Sequence, residues 1–361
     1  VAVFTSVARN KQGGLKAMVS VQNDKVIELL GAPGSPYTRK MLALLRFRRI
    51  PYAVHWGSRN APEGYPVPKV RLLPTFYFPS PDGLVAVVDS TPIIRRLEHE
   101  VAGRSTLPEN PVLNFFNYLI EDFADEWLTK PMFHFRWAHA EDAANAGPQL
   151  IFWAEPTMDP KAAAAASQAI SQRQIDRLYV VGSNATTAAT IEASYIRILS
   201  AMDAAIQRNG YVLGGRPSSA DFAIFGQLTQ LAIVEPTSAR LCGELAPRVR
   251  AWLDRMEDLS GADPHSDQWL RRDELRESLT PLLTEIGRVY VPFLLANAKA
   301  VVAGEGQFDT EIDSRPWTQP TFPYQAKCLQ WLREEFFGLS PSDREAVLQV
   351  IAGTGVEPLL A

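Results

Sequence analysis

Cysteine is nearly missing: Cys242 and Cys328 are the only two in 361 residues. They lie far apart and in no metal-type or redox-type spacing, so a disulfide framework is not expected and an intracellular setting is. Long apolar runs are also scarce. None is read as approaching the roughly 20 residues that cross a bilayer, so no membrane partner is expected. Residues Val1 to Ser20 carry Arg9, Lys11 and Lys16 but no apolar central block, unlike a secretory signal. A leader over residues 1–24 is expected to be disordered or tag-derived, with Met18 a plausible natural start. There is no basic excess: net charge is −4, against the basic face of a nucleic-acid binder. Arg39, Lys40, Arg46, Arg48 and Arg49 form the one local basic run, read as the solvated face of a helix. The five histidines show no metal-ligand spacing, so no metal is expected. No internal repeat is visible.

What is present is ordinary in bulk, with 46% hydrophobic and 21% charged residues, and too long for one core. Between Val26 and Gly103 strands and helices alternate. Val26 to Leu30 is a short apolar run ending at Gly31, read as a buried strand. Ser35-Pro36 then opens a helix as N-cap and first helical residue, with Tyr37, Met41, Leu44 and Leu45 on one face. Tyr52 to Trp56 is a second strand. Thr75–Phe78 and Leu84–Val88 flank Pro79-Ser80-Pro81-Asp82-Gly83 as a hairpin. Ser90 is read as the cap of another helix. From Pro111 onward helices dominate: Leu113 to Trp137 as one long helix, then Pro160 to Ile175 and Thr190 to Arg208. Another opens at Ser218, whose spacing to Asp221 fits a capping box. A last block holds helices over Trp269–Ala303 and Tyr324–Phe337, joined by a polar, Pro-rich segment from Gly304 to Pro323, with a further helix start at Ser340.

This β-α-β-β-α unit followed by helices resembles the glutathione transferase superfamily. Four segments carry the resemblance. Gly34-Ser35-Pro36-Tyr37-Thr38-Arg39-Lys40 looks like the segment that bears the active Ser, Cys or Tyr. Leu73-Pro74-Thr75-Phe76 looks like the cis-proline segment, and Asp89-Ser90 like the acidic-Ser pair. Ser218 to Asp221 is similar to the capping box of the helical domain. The resemblance covers about Val26 to Leu259. It implies an α/β thioredoxin-like N-terminal domain over residues 25–105, an all-α domain over 110–260, and an extra C-terminal helical extension over 261–361. It also implies a cytoplasmic homodimer.

The implied activity is transfer of glutathione, or glutathione-dependent lyase, isomerase or ether-cleaving chemistry, onto an apolar electrophile. Glutathione is the co-substrate and a small hydrophobic molecule its acceptor. The nucleophile must be the thiolate. Ser35, at a helix N-terminus where free amides and the macrodipole favour negative charge, can donate to that sulfur. A donor of this kind contributes about 2–4 kcal/mol in a dry site. The same hydroxyl also serves simply as an N-cap. Leu73 and Pro74 present backbone groups to the cysteinyl part, and Asp89 and Ser90 meet the γ-glutamyl end. Lys69, with Arg71, stands near the glycyl carboxylate. Tyr37 joins the glutathione-binding set, although its spacing also suits packing. Tyr118, Asp122 and His134, in an aromatic- and acid-rich stretch, are assigned to the acceptor site, against a reading as core and solvated face. Ser35-Pro36-Tyr37-Thr38 occupies the place of a redox Cys-x-x-Cys without either sulfur, which disfavours a disulfide oxidoreductase. The alternative function is a non-catalytic binding or dimerisation module of the same fold.

Overall fold

The structure is a computed structural model and describes residues 7–9, 15–17, 26–57 and 60–361. In the leader, β1 (Val7–Arg9) and β2 (Leu15–Ala17) pair antiparallel; Met18 and the remainder of residues 1–24 lie outside the described residues.

The first body is a four-stranded sheet built from β3 (Ile27–Gly31), β4 (Tyr52–Trp56), β5 (Thr75–Ser80) and β6 (Gly83–Val87). Strand order is β4-β3-β5-β6, with β3 and β4 parallel and the other pairs antiparallel. The parallel pair is joined by α1 (Pro36–Arg48), the crossover that such a pair requires. α2 (Ser90–Glu100) follows the β5–β6 hairpin. Leu29, Phe76 and Phe78 of the sheet are buried with Met41, Leu44 and Leu45 of α1 and Ile93, Ile94 and Leu97 of α2 in one apolar core. α1 stops at Arg48 because Arg49 turns into the left-handed region at φ 54°.

Two local expectations change here. The cap of α2 is Asp89, whose side chain accepts from the Thr91 N–H; Ser90 is the first helical residue. The basic run of α1 is not a solvated face. Lys40 and Arg48 are buried, and Arg39 and Arg46 both pair with Glu257, at 2.6 and 2.9 Å.

The helical body begins with α3 (Pro111–Glu126), capped by Asn110, and α4 (Thr129–Ala138). One continuous helix was expected here. Pro131 has no N–H to offer the Trp127 carbonyl, so the ladder breaks around Trp127 and Leu128. α5 (Ala140–Ala154), α6 (Pro160–Ile175) and α7 (Ala188–Asn209) follow. α8 (Ser219–Thr229) is buried on every side, the helix on which the rest is assembled. Its capping box forms as spaced: Ser218 Oγ faces the Asp221 N–H, and Asp221 accepts from the Ser218 N–H at 2.9 Å. Gly226 of α8 lets the first turn of α1 approach; a Cβ there would collide with the Pro36 carbonyl. α9 (Pro236–Leu245) and α10 (Pro247–Met256) complete this part.

The C-terminal region is not purely helical. α11 (Leu275–Glu285) and α12 (Val291–Ala303) lead into a hairpin, β7 (Gln307–Ile312) and β8 (Arg315–Pro320), where a polar connector was expected. Its turn, Asp313-Ser314, has φ 55° and 56°, the two positive values of a tight hairpin turn. Neither residue is glycine, and Pro316 and Pro320 mask the strand pattern. α13 (Pro323–Gly338) and α14 (Pro341–Ile351) then return across α3. The helical stretch Arg272–Ala303 is long and apolar enough, by length and composition, to cross a membrane, which corrects the reading that no such run exists. Its Leu279, Leu282, Leu283, Ile286, Tyr290, Phe293 and Leu294 are buried in the shared core.

Candidate functional site

The Ser35 loop is set by helix entry. Ser35 takes an extended conformation (φ −94°), its Oγ accepts from the Thr38 N–H at 3.2 Å, and Pro36 supplies the first helical residue. The hydroxyl hydrogen is directed at the Leu73 carbonyl, 3.3 Å away. Leu73-Pro74 is a cis peptide, and the Leu73 N–H has no hydrogen-bond partner among the described residues. The loop before Ser35 is held from the helical body. Arg136 of α4 donates to the Gly34 carbonyl at 3.0 Å, and Gln230 to the Pro33 carbonyl at 3.2 Å. Gly34 has no side chain because none would fit: a Cβ would lie 2.6 Å from Leu150 and 2.9 Å from the Trp153 ring of α5.

Asp89 and Ser90 stand at the start of α2, Asp89 with φ 82°. Lys40, fully buried, donates to Ser90 Oγ at 3.0 Å, to Glu121 at 2.9 Å and to Asp125 at 2.6 Å. Ser219 and Thr91 also donate to Glu121, at 2.6 and 3.0 Å. Burial opposes charge on Glu121, but Lys40 and Arg95 outweigh it and hold its carboxyl down at about 2. Burial wins at Asp125, pushing it up to about 6. Lys40 loses by burial and gains more from the two carboxylates, so its pKa rises. The hydroxyl of Tyr324 in α13 donates to the other side of this site, Asp89 Oδ2, at 2.8 Å.

Tyr37 turns towards the seam with α3, its hydroxyl donating to the Asp125 carbonyl at 2.7 Å; burial raises its pKa far above the usual phenol. Lys69 and Arg71 are exposed, and Arg71 reaches Asn60 at 3.3 Å.

Two family models match the chain. One, for the glutathione S-transferase N-terminal domain, covers residues 29–105; the other, for the C-terminal domain, covers 163–255. The chain belongs to the glutathione transferase superfamily. Among solved structures it is similar in fold to a glutathione transferase family member from Pseudomonas fluorescens with two glutathione bound (18% identity, 64% of this chain and 87% of that one, TM-score 0.40). It is also similar to a glutathione S-transferase from Rhodospirillum rubrum (15%, 68% and 97%, 0.42) and a glutathione transferase homolog from Lodderomyces elongisporus (18%, 66% and 100%, 0.37). All three are distant. No curated protein matches the chain.

Residues 1–28, 106–162 and 256–361 lie outside both models, and the expected acceptor residues all fall in 106–162. Tyr118 and Asp122 sit one turn apart on α3, beneath α13. Tyr118 lines a groove of about 390 Å³ with Trp331, Glu334, Glu335, Gly338 and Leu339, and Arg95 lies 5.4 Å from its ring. Asp122 is buried and accepts from Tyr290 at 2.6 Å; burial pushes its carboxyl up to about 7. Next along α3, Glu126 accepts from Gln325 at 3.0 Å and is pushed by burial to about 8. His134 points elsewhere, its ring nitrogens engaged by Ser183 and Glu192.

The side chains that touch the Ser35 loop are instead Arg136, Gln230, Leu150 and Trp153, none of them anticipated from sequence. The available signals were the apolar run Ile151-Phe152-Trp153 and the Gly immediately before Ser35. Both cysteines are buried, and burial raises both thiols, Cys242 to about 11, so neither is a ready nucleophile.

Proposed function

We propose that this chain binds glutathione as a co-substrate and activates its thiol for attack on a small apolar electrophile, by conjugation or by glutathione-dependent lyase, isomerase or ether-cleaving chemistry. The observation that carries the reading is the pairing of Ser35, at the amino end of α1, with Leu73 beside Pro74. In this reading the cysteinyl backbone pairs with Leu73. Its sulfur takes the Ser35 hydroxyl away from the Leu73 carbonyl, and the N-terminal amides of α1 stabilise the thiolate. Tyr37 shapes that end of the helix from the α3 seam. Asp89 meets the γ-glutamyl ammonium, the start of α2 at Ser90 meets its carboxylate, and Lys69, with Arg71, meets the glycyl end. Tyr118 and Asp122 are assigned to the acceptor side of the protein, whereas His134, whose ring is turned to Ser183 and Glu192, is not brought to it; Leu150 and Trp153 form the wall nearest the sulfur. The domains are taken as 25–105, 110–260 and an extension over 261–361, and the protein as a cytoplasmic homodimer.

A second reading is a non-catalytic binding module. It is favoured by the intramolecular partners already on the peptide site: Tyr324 on Asp89, Lys40 on Ser90, and Leu150 and Trp153 against Gly34. Passage over immobilised glutathione, followed by assay with a chlorinated aromatic acceptor, separates the two. Retention of the wild type and turnover that collapses in Ser35→Ala support the enzyme. Failure to be retained on glutathione favours the module.

A further inference from the structure

Three side chains outside the thiol site converge although nothing in their sequence spacing brings them together. His134 lies in α4, His139 at the junction of α4 and α5, and Glu192 in α7. His134 Nε2 is 3.2 Å from Glu192 Oε1, and His139 Nε2 is 3.5 Å from the same oxygen. All three ligand atoms lie within 4.8 Å of one another. Around a tetrahedral zinc ion with bonds of 2.0–2.2 Å, neighbouring ligand atoms stand about 3.3–3.5 Å apart. The separations of 3.2 and 3.5 Å lie close to that spacing, with the third pair within 4.8 Å.

The surroundings are arranged for ligation. His139 Nε2 is buried and has no hydrogen-bond partner. Its ring is stacked on Phe135, with centroids 5.5 Å apart and planes 30° apart, which limits its rotation. His134 is 2% exposed, and its Nδ1 is 2.7 Å from Ser183 Oγ. With Ser183 accepting from Nδ1–H, the lone pair of Nε2 is left facing Glu192. That is the second-shell contact that fixes the tautomer of a metal-bound imidazole. The side chains of His139 and Glu192 are 34% and 41% exposed, so the cluster lies at the edge of the fold rather than in its core.

We propose that His134, His139 and Glu192 form a three-ligand site for a zinc-like divalent ion, with water as the fourth ligand. Two imidazoles and one carboxylate suit zinc over magnesium or calcium, which prefer all-oxygen shells. Zinc takes the place of any proton shared between His134 and Glu192, and binding releases it. The ion ties the end of α4 to α7 and stiffens the segment carrying Arg136, which holds the Gly34 carbonyl.

The test uses the full chain, stripped with a chelator and titrated with zinc alone in a calorimeter, with thermal unfolding alongside. One ion per chain and a rise in Tm are expected. His139→Ala and Glu192→Gln, both at partly exposed positions, should each weaken binding tenfold or more. Ser183→Ala, which keeps every ligand, should weaken it about tenfold through the lost second-shell contact. No zinc uptake by the wild type overturns the site. So does uptake of unchanged affinity in both ligand variants, since the ion would then sit on other residues.

Discussion

Tyr324 donates its hydroxyl to Asp89 Oδ2 at 2.8 Å, across 235 residues of sequence. One partner starts the second helix of the thioredoxin-like body; the other starts α13, in a region neither family model covers. The extension therefore reaches the end of the cleft assigned to the γ-glutamyl group.

If Asp89 binds that group's ammonium, Tyr324 competes for the same oxygen. Tyr324→Phe should lower stability by about 1 kcal/mol, the worth of one hydrogen bond. It should also raise glutathione affinity severalfold by calorimetry. A fall in affinity would mean that Tyr324 orients Asp89 rather than occupying it.

Lys40 is the only cation within hydrogen-bond reach of both Glu121 and Asp125 among the described residues. Lys40→Met would leave Asp125 a buried acid with no cation and only the Thr91 hydroxyl at 3.5 Å, and Glu121 with Arg95 as its one remaining cation. Breaking a buried pair from one side costs about 3–5 kcal/mol. Urea unfolding should show that loss in the midpoint at an unchanged slope. A change within 0.5 kcal/mol would mean that the carboxylates are already neutral.

The acids of α3 set a pH dependence of definite sign. Asp122 and Glu126 are raised by burial to about 7 and about 8, from ordinary values near 3.8 and 4.5. Between the ordinary and the raised value the native state holds a proton that the unfolded chain has released. Stability is therefore full at the acid side of this window and declines as pH rises through it. Glu121, held at about 2, works in the opposite direction but only below about pH 4.5. Lys130, lowered by burial to about 7, adds stability only above that. Tm should accordingly fall from pH 5 to pH 7. In Asp122→Asn, which keeps an acceptor for Tyr290, the fall should be visibly shallower. A wild-type Tm that rises over this interval would show that these carboxyls ionise normally.

Local signals carried much of the fold. Ser35-Pro36 and the Ser218/Asp221 box announce helices through contacts of three residues, and each forms. The β5–β6 hairpin was legible from Pro-Asp-Gly for the same reason. What failed depended on weaker or longer-range information. The β7–β8 turn uses Asp313-Ser314, which lacks the glycine that usually marks such turns. The break between α3 and α4 rests on one proline within an otherwise apolar-periodic stretch. The basic run of α1 looked solvated because its partners, Glu121, Asp125 and Glu257, lie 81 to 218 residues away. The same distance hid the approach of Leu150 and Trp153 to Gly34, and the convergence of His134 and His139 with Glu192.

The decisive measurement is an ultraviolet titration of the thiol in the saturated glutathione complex, wild type beside Ser35→Ala. A sulfur held by the Ser35 hydroxyl and the α1 amides should ionise at least one pH unit below free glutathione. That displacement should largely vanish in the variant, which itself loses about 1 kcal/mol of capping stability. A bound thiol that titrates as it does free in water, in wild type and variant alike, would contradict thiolate activation at Ser35.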